Sequence, residues 1–258
     1  MTGAMGTYWL EQTEADVPAG NDWLSAREIS LLASLRFVKR RTDWRLGRWT
    51  AKRAVASSLN LSPDRDSLQD IEVRAAQSGT PEAFVFNQRV PVSLSLSHRA
   101  GRALCVVGAS GGSLGCDLEL VESRDRSFLT DFFTANEQQL VERAPAHERP
   151  LLTTLLWSAK ESALKALHVG LRYSTTSLEV GPIGAAMWLP ERSYQDGSAD
   201  WAPISLRGIG GGIVCGWWRC ATNMVRTVVS ICGNEYPGFQ MPRSSSSQLL
   251  PIGCDSPC

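Results

Sequence analysis

The sequence predicts an α+β protein built as two similar α+β halves. Three patterns carry that prediction. Val92 to Ser97 alternates apolar and polar residues in strict period two, which marks a strand. Leu151 to His168 sets apolar residues at helical spacing, with Gly170 just past the end as a stop. The chain also passes twice through a cycle of helix followed by strands. The passes meet near Gly111, although no residue-level repeat links them.

Taken in order, Met1 to Gly20 is polar and glycine-containing, a loose lead-in or an edge strand. Ser25 followed by Glu28 forms a capping box, and helical spacing continues through Ile29, Leu32 and Leu35. A second helix runs from Thr42 to Leu59, and Asn60 to Asp66 is a turn around Ser62-Pro63. Short strands are expected at Ile71 to Arg74 and Phe84 to Phe86, around the loop Gly79-Thr80-Pro81. The strands Val92 to Ser97 and Ala103 to Val107 close the first half, which spans 1–111. The second half, 112–233, opens with a strand at Leu114 to Leu120. A helix over Asp131 to Val141 and the long helix Leu151 to His168 follow. Strands are then expected at Ser177 to Val180, Met187 to Leu189, Ile204 to Leu206, Ile213 to Trp218 and Thr227 to Ile231. The tail 234–258, with Ser244 to Ser247 and little to bury, reads as disordered.

Composition excludes several classes. With 258 residues, 43% hydrophobic and 20% charged, the chain is long enough for two small cores and is neither fibrous nor low-complexity. Lys+Arg and Asp+Glu balance at 26 each, which argues against a nucleic-acid-coating polycation. No run approaches the ~18 apolar residues of a membrane helix. The N-terminus has no basic segment followed by an apolar one, so no signal peptide is visible. A cytoplasmic monomer without nucleic-acid or membrane partners is the expectation. The seven cysteines form no CxxC pair and read as reduced structural thiols.

Four constellations could carry chemistry. In Ser113-Leu-Gly-Cys-Asp-Leu-Glu-Leu120, strand alternation puts Asp117 and Glu119 on one face about 6–7 Å apart, close enough to hold one hard cation. A solvated strand face is the plainer reading. In the helix around Trp157, the residues Leu152, Leu156, Ala159, Ala163 and Leu167 form the buried stripe. Glu161 sits about 160° round from Ala163 and shares its face with Lys165. An ordinary surface Glu–Lys pair is the alternative, weakened by the Trp on that face. Ser97 and His98, at a strand end before Gly101, suit a phosphate. Adjacent strand residues face opposite ways, which counts against His98 activating Ser97 as a nucleophile. Finally, Arg41, Arg45, Arg48 and Lys52 share one helical stripe, either solvated or facing a phosphorylated ligand or acidic partner. Only four cations are lysines, Lys39, Lys52, Lys160 and Lys165, and two of them lie close together in the long helix.

Together these motifs resemble the Sfp-type 4′-phosphopantetheinyl transferases. The matching segments are Leu46-Gly47-Arg48, Gly79-Thr80-Pro81, Leu96-Ser97-His98 with Gly101, and Gly115-Cys116-Asp117-Leu118-Glu119. Phe132-Phe133-Thr134 with Glu137, Trp157-Ser158-Ala159-Lys160-Glu161-Ser162-x-x-Lys165 and His168-Val-Gly-Leu171 complete the series. Thr80 departs from the family, which often has Lys there, and Cys116 stands for its usual Val or Ile. The resemblance implies two α+β subdomains related by a pseudo-twofold, with the active site in the cleft between them. It implies Mg²⁺-dependent transfer of the phosphopantetheine arm of coenzyme A to a serine of an apo acyl or peptidyl carrier protein, with adenosine 3′,5′-bisphosphate leaving. Asp117, Glu119 and Glu161 would hold the metal, and Glu161 would be the general base. Lys165 would act in catalysis at the pyrophosphate, Ser97 and His98 would meet the 3′-phosphate, and Arg48 and Lys52 the nucleotide. A metal-dependent nuclease is disfavoured, because Glu161 and Lys165 are four apart on a helix rather than two apart on a strand. A non-catalytic module that binds carrier protein and coenzyme A would be expected to lack an acidic ligand, and all three are present.

Overall fold

The capping box expected at Ser25 forms. The Glu28 amide donates to Ser25 Oγ and the Ser25 amide to Glu28 Oε2, both at 3.2 Å, and this starts helix α1 (Ala26–Ser34). The structure, a computed structural model, describes residues 7–169, 173–181, 201–208, 213–231 and 250–252. Described residues up to Leu114, with Leu250–Ile252, form one unit, and those from Gly115 to Ile231 form another.

In the first unit, helix α2 (Val38–Ser58) begins four residues before the expected start and packs on a four-stranded sheet. Its strands are β1 (Thr7–Thr13), β5 (Val92–Arg99), β6 (Arg102–Ala109) and β12 (Leu250–Ile252), in the order β12-β1-β6-β5 and antiparallel throughout. The polar N-terminal segment is therefore an interior strand, because it pairs with β6 on one side and β12 on the other. β12 falls within the tail expected to be disordered, most of which lies outside the described residues, so that expectation does not hold for these three residues. A small sheet of β2 (Ile71–Ala75), β3 (Pro81–Val85) and β4 (Gln88–Arg89) adjoins the short helix α3 (Arg65–Gln69), which Asp64 caps in the stretch expected to be a turn. Trp23, Ala54, Val55, Leu68, Ile71 and Cys105 are among the buried residues of this core.

In the second unit, β7 (Ser113–Leu120), β8 (Leu178–Gly181), β9 (Ala202–Gly208), β10 (Ile213–Ala221) and β11 (Met224–Ile231) form one sheet in the order β7-β11-β10-β9-β8. The single helix expected over Asp131 to Val141 is two helices, α4 (Arg126–Phe132) and α5 (Ala135–Arg143). Thr134 separates them with a second capping box: the Glu137 amide donates to its Oγ1 (3.3 Å) and its own amide donates to Glu137 Oε2 (2.8 Å). The long helix α6 (Arg149–Ala166) lies on the sheet, with Leu155, Leu156, Ala159 and Ala163 buried in the core. Leu167, expected in that stripe, is 40% exposed because the helix has ended. His168 takes a left-handed φ of 58° and Val169 N donates back to Leu164 O (3.2 Å), which turns the chain out of the helix. Gly170 and the strand expected at Met187 to Leu189 lie outside the described residues.

Cys105 and Cys116 are buried, and Cys215 and Cys220 are half-buried. No helix among the described residues is long and apolar enough to cross a membrane.

Candidate active site

A glycine sets the distance between strand β7 and helix α6. A Cβ on Gly115 would stand 1.8 Å from Ser162 O and 2.7 Å from Ala166 N, so only glycine lets the two backbones meet. Beneath the helix, Thr227 of β11 ties two of its turns. Ser158 and Ser162 hydroxyls lie 2.9 and 2.7 Å from Thr227 Oγ1, and all three side chains are buried. The helix is buried at every position from Leu151 to Ala166 except Trp157, Glu161 and Lys165, which recur every four residues as one row.

That row meets the carboxylates of β7. Lys165 Nζ donates to Asp117 Oδ1 (2.8 Å) and to Cys116 O (3.0 Å). Burial works to lower the Lys165 pKa, but the neighbouring Asp117 carboxylate, Cys116 and Glu161 carry it above its ordinary value. Trp157 Nε1 donates to Glu119 Oε1 (3.2 Å). The Trp157 ring packs edge-on against Phe128 and Phe132, with centroids 5.1 and 5.0 Å away. Burial raises the Glu161 pKa; the charge of Asp117 adds to this, Lys165 opposes it, and Glu119 adds a little more. Glu161 Oε1 is shielded from solvent and accepts no hydrogen bond. The face carrying Asp117 and Glu119 is thus covered by α6 and is not a solvated strand face.

Residues 113–188, which contain β7, α4, α5 and α6, match the family model described as "ACPS: 4′-phosphopantetheinyl transferase superfamily". The match covers 76 of the chain's 258 residues.

Similar solved structures include a holo-(acyl-carrier-protein) synthase from Bacillus anthracis str. Ames in complex with CoA (3′,5′-ADP), 25% identical, over 42% of this chain and 97% of that one, with a TM-score of 0.35. The holo-ACP-synthase of Plasmodium yoelii is 16% identical over 42% and 94%, at 0.35. The Helicobacter pylori holo-[acyl-carrier-protein] synthase in complex with coenzyme A is 22% identical over 40% and 99%, at 0.32. No curated protein is significantly similar to the chain.

Within the matched segment, the donor set suits a hard divalent cation in its chemistry. Three carboxylates crowd together, and Glu161 holds a buried oxygen that no protein donor satisfies. Among the described residues, no three His, Cys, Asp or Glu side chains are drawn to metal-ligand spacing, and the Lys165 ammonium holds Asp117 Oδ1.

The site residues expected outside that segment fare differently. Lys52 is fully buried, ion-paired with Glu28 and donating to Trp23 O (2.9 Å). It is therefore a core residue and not a nucleotide contact. Burial lowers its pKa against the pull of Glu28. Arg48 lies 5.0 Å over Trp44, with Nε 4.0 Å from Glu28 Oε1, and burial lowers its pKa while Glu28 opposes this. Arg45 donates to the carbonyls of Pro18, Ala19 and Gly20. The basic stripe is thus largely packed into its own unit. Ser97 is buried and His98 exposed on adjacent positions of β5, as strand alternation requires, so the two are not a nucleophile and its base.

Two residues that the sequence analysis left without a role stand at the edge of the site. Lys160 is fully buried beside Glu161, and its Nζ lies 2.6 Å from Glu137 Oε2. The lysine at this position and the Phe-Phe-Thr-x-x-Glu segment were both visible in the sequence. Their pairing across 23 residues was not.

Proposed function

We propose that the chain is a phosphopantetheinyl transferase that moves the phosphopantetheine arm of coenzyme A onto the serine hydroxyl of an apo acyl or peptidyl carrier protein. The observation that carries this reading is the row Trp157, Glu161, Lys165 on α6 set against Asp117 and Glu119 on β7. Glu161 takes the proton of the incoming serine hydroxyl. Its partly desolvated carboxylate, raised in pKa, is a stronger base than a solvated one. The serine oxygen then forms a bond to the β-phosphorus, the bond from that phosphorus to the bridging oxygen breaks, and adenosine 3′,5′-bisphosphate leaves with the electron pair. Lys165, seated between Asp117 Oδ1 and Cys116 O, supplies positive charge where negative charge develops on the pyrophosphate. Asp117, Glu119 and Glu161 would hold Mg²⁺, which when bound neutralises pyrophosphate charge. His98, exposed at the end of β5, would meet the 3′-phosphate.

The test is the intact mass of an apo carrier protein incubated with this protein and coenzyme A. The reading expects the mass of one phosphopantetheine arm to be added with Mg²⁺ and not after exhaustive chelation. Addition that survives chelation removes the metal role, and no addition under either condition removes the transferase reading.

A further inference from the structure

Lys160 is fully buried and lies outside the row of α6 that meets β7. Its ammonium donates to Phe132 O (3.1 Å) and Thr175 O (3.0 Å) and pairs with Glu137 Oε2 (2.6 Å). Glu137 in turn accepts from Thr134 N through Oε2 (2.8 Å) and from Val180 N through Oε1 (2.8 Å). One ion pair therefore joins the end of α4, the start of α5, the turn at Thr175, strand β8 and helix α6. The Phe132 carbonyl lies at the C-terminal, partly negative end of α4, where a cation is favoured.

The clamp has a direct line to the site. Phe132, whose carbonyl Lys160 holds, packs its ring on Trp157 (5.0 Å), and Phe128 packs on both (5.1 Å to Trp157, 4.9 Å to Phe132). Trp157 donates its indole N–H to Glu119 Oε1 (3.2 Å). Lys160 lies three residues after Trp157, so both ends of the aromatic wall are fixed to one helical turn. We infer that Lys160 and Glu137 are positioning residues: the pair seats the Phe128–Phe132–Trp157 wall, and the wall aims Glu119. This rests on the proposed role of Glu119 in the transferase site.

The test uses the double variant Lys160→Met with Glu137→Gln, which removes both charges and avoids leaving either buried alone. Trp157 fluorescence is isolated by subtracting the spectrum of the same protein carrying Trp157→Phe. In the double variant the Trp157 emission is expected to shift to the red and become more accessible to acrylamide. Transfer kcat should fall about 10–100-fold at little-changed KM for coenzyme A, the scale seen when residues that orient metal ligands are lost. Lys160→Arg, which keeps a cation against Glu137, should restore part of both readouts. Unchanged Trp157 emission overturns the inference, and so does wild-type kcat in a transferase-active background. If the wild-type protein shows no transfer, the proposed function fails, and the fluorescence comparison still decides whether the pair seats the wall.

Discussion

Helices α2 and α6 each bury one lysine completely, and each lysine pairs with the glutamate of a capping box: Lys52 with the Glu28 of Ser25, Lys160 with the Glu137 of Thr134. Each ammonium also reaches a backbone carbonyl, Trp23 O in one unit and Phe132 O in the other. Beyond that shared device the helices differ. On α2, Arg45 is taken up by carbonyls and Arg48 by Trp44 and Glu28. On α6, a row of half-buried residues faces the carboxylates of β7, and Glu161 keeps a shielded oxygen that no protein group satisfies. The comparison teaches that a buried carboxylate paired with a lysine builds structure, even where one of its oxygens, Glu28 Oε1, accepts no hydrogen bond. A desolvated carboxylate crowded by two others, as Glu161 is by Asp117 and Glu119, marks where a cation or proton is wanted.

The comparison can be broken most easily at the lysines. Lys52→Met strands Glu28 as a buried charge and should cost about 3–5 kcal/mol in denaturant unfolding; Lys160→Met should cost a similar amount. If only one of the two is costly, the devices are not equivalent.

The next largest effect separates the helices by function. Lys165→Arg should lower transfer nearly as much as Lys165→Ala, by ~10²–10³, because the seat between Asp117 Oδ1 and Cys116 O fits a compact ammonium and not a planar guanidinium. Steady-state kinetics at constant melting temperature checks it. An arginine variant with near wild-type turnover would reduce Lys165 to a generic charge.

A smaller contrast lies in two glycines, Gly115 on β7 and Gly47 within α2. At Gly115 a Cβ meets the α6 backbone at 1.8 Å, whereas at Gly47 it meets only the tip of Leu96, at 3.2 Å. Gly115→Ala should destabilise by about 1–3 kcal/mol or more and depress transfer. Gly47→Ala should stay within about 1 kcal/mol of wild type, since alanine's helix propensity offsets the tight contact. Equal thermal shifts for the two would show that the close approach at Gly115 is dispensable.

Smallest are the caps. Ser25→Ala and Thr134→Ala should each cost about 1 kcal/mol in chemical denaturation. A Thr134 effect well above that would mean that Glu137 loses its seat with the cap, which ties the cap to the Lys160 clamp.

How much of this was legible follows from where each partner lies in the chain. Period-two alternation disclosed β5, and four-residue spacing put Glu161 and Lys165 on one face, because those patterns are local. Gly-x-Asp-x-Glu was readable as a carboxylate pair. That α6 would cover the carboxylate face was not, since Gly115 reveals its purpose only against Ser162. The basic stripe misled for the same reason. Arg41, Arg45, Arg48 and Lys52 share a helical face, but Glu28 and the 18–23 loop, which take up Arg45, Arg48 and Lys52, lie far earlier in the chain. The break between α4 and α5 was encoded by Thr134 and Glu137, yet apolar spacing reads straight through it. The pairing of β1 with β12 joins opposite ends of the chain and has no local signal.

The most direct test of the account is the rate at which an apo carrier protein gains the phosphopantetheine mass from coenzyme A and Mg²⁺ with Glu161→Gln protein beside wild type. The account predicts a fall of ~10²–10⁴ on losing the base, with the melting temperature held or raised as a desolvated carboxylate is removed. A folded Glu161→Gln protein that loads the carrier within a few-fold of the wild-type rate would contradict it.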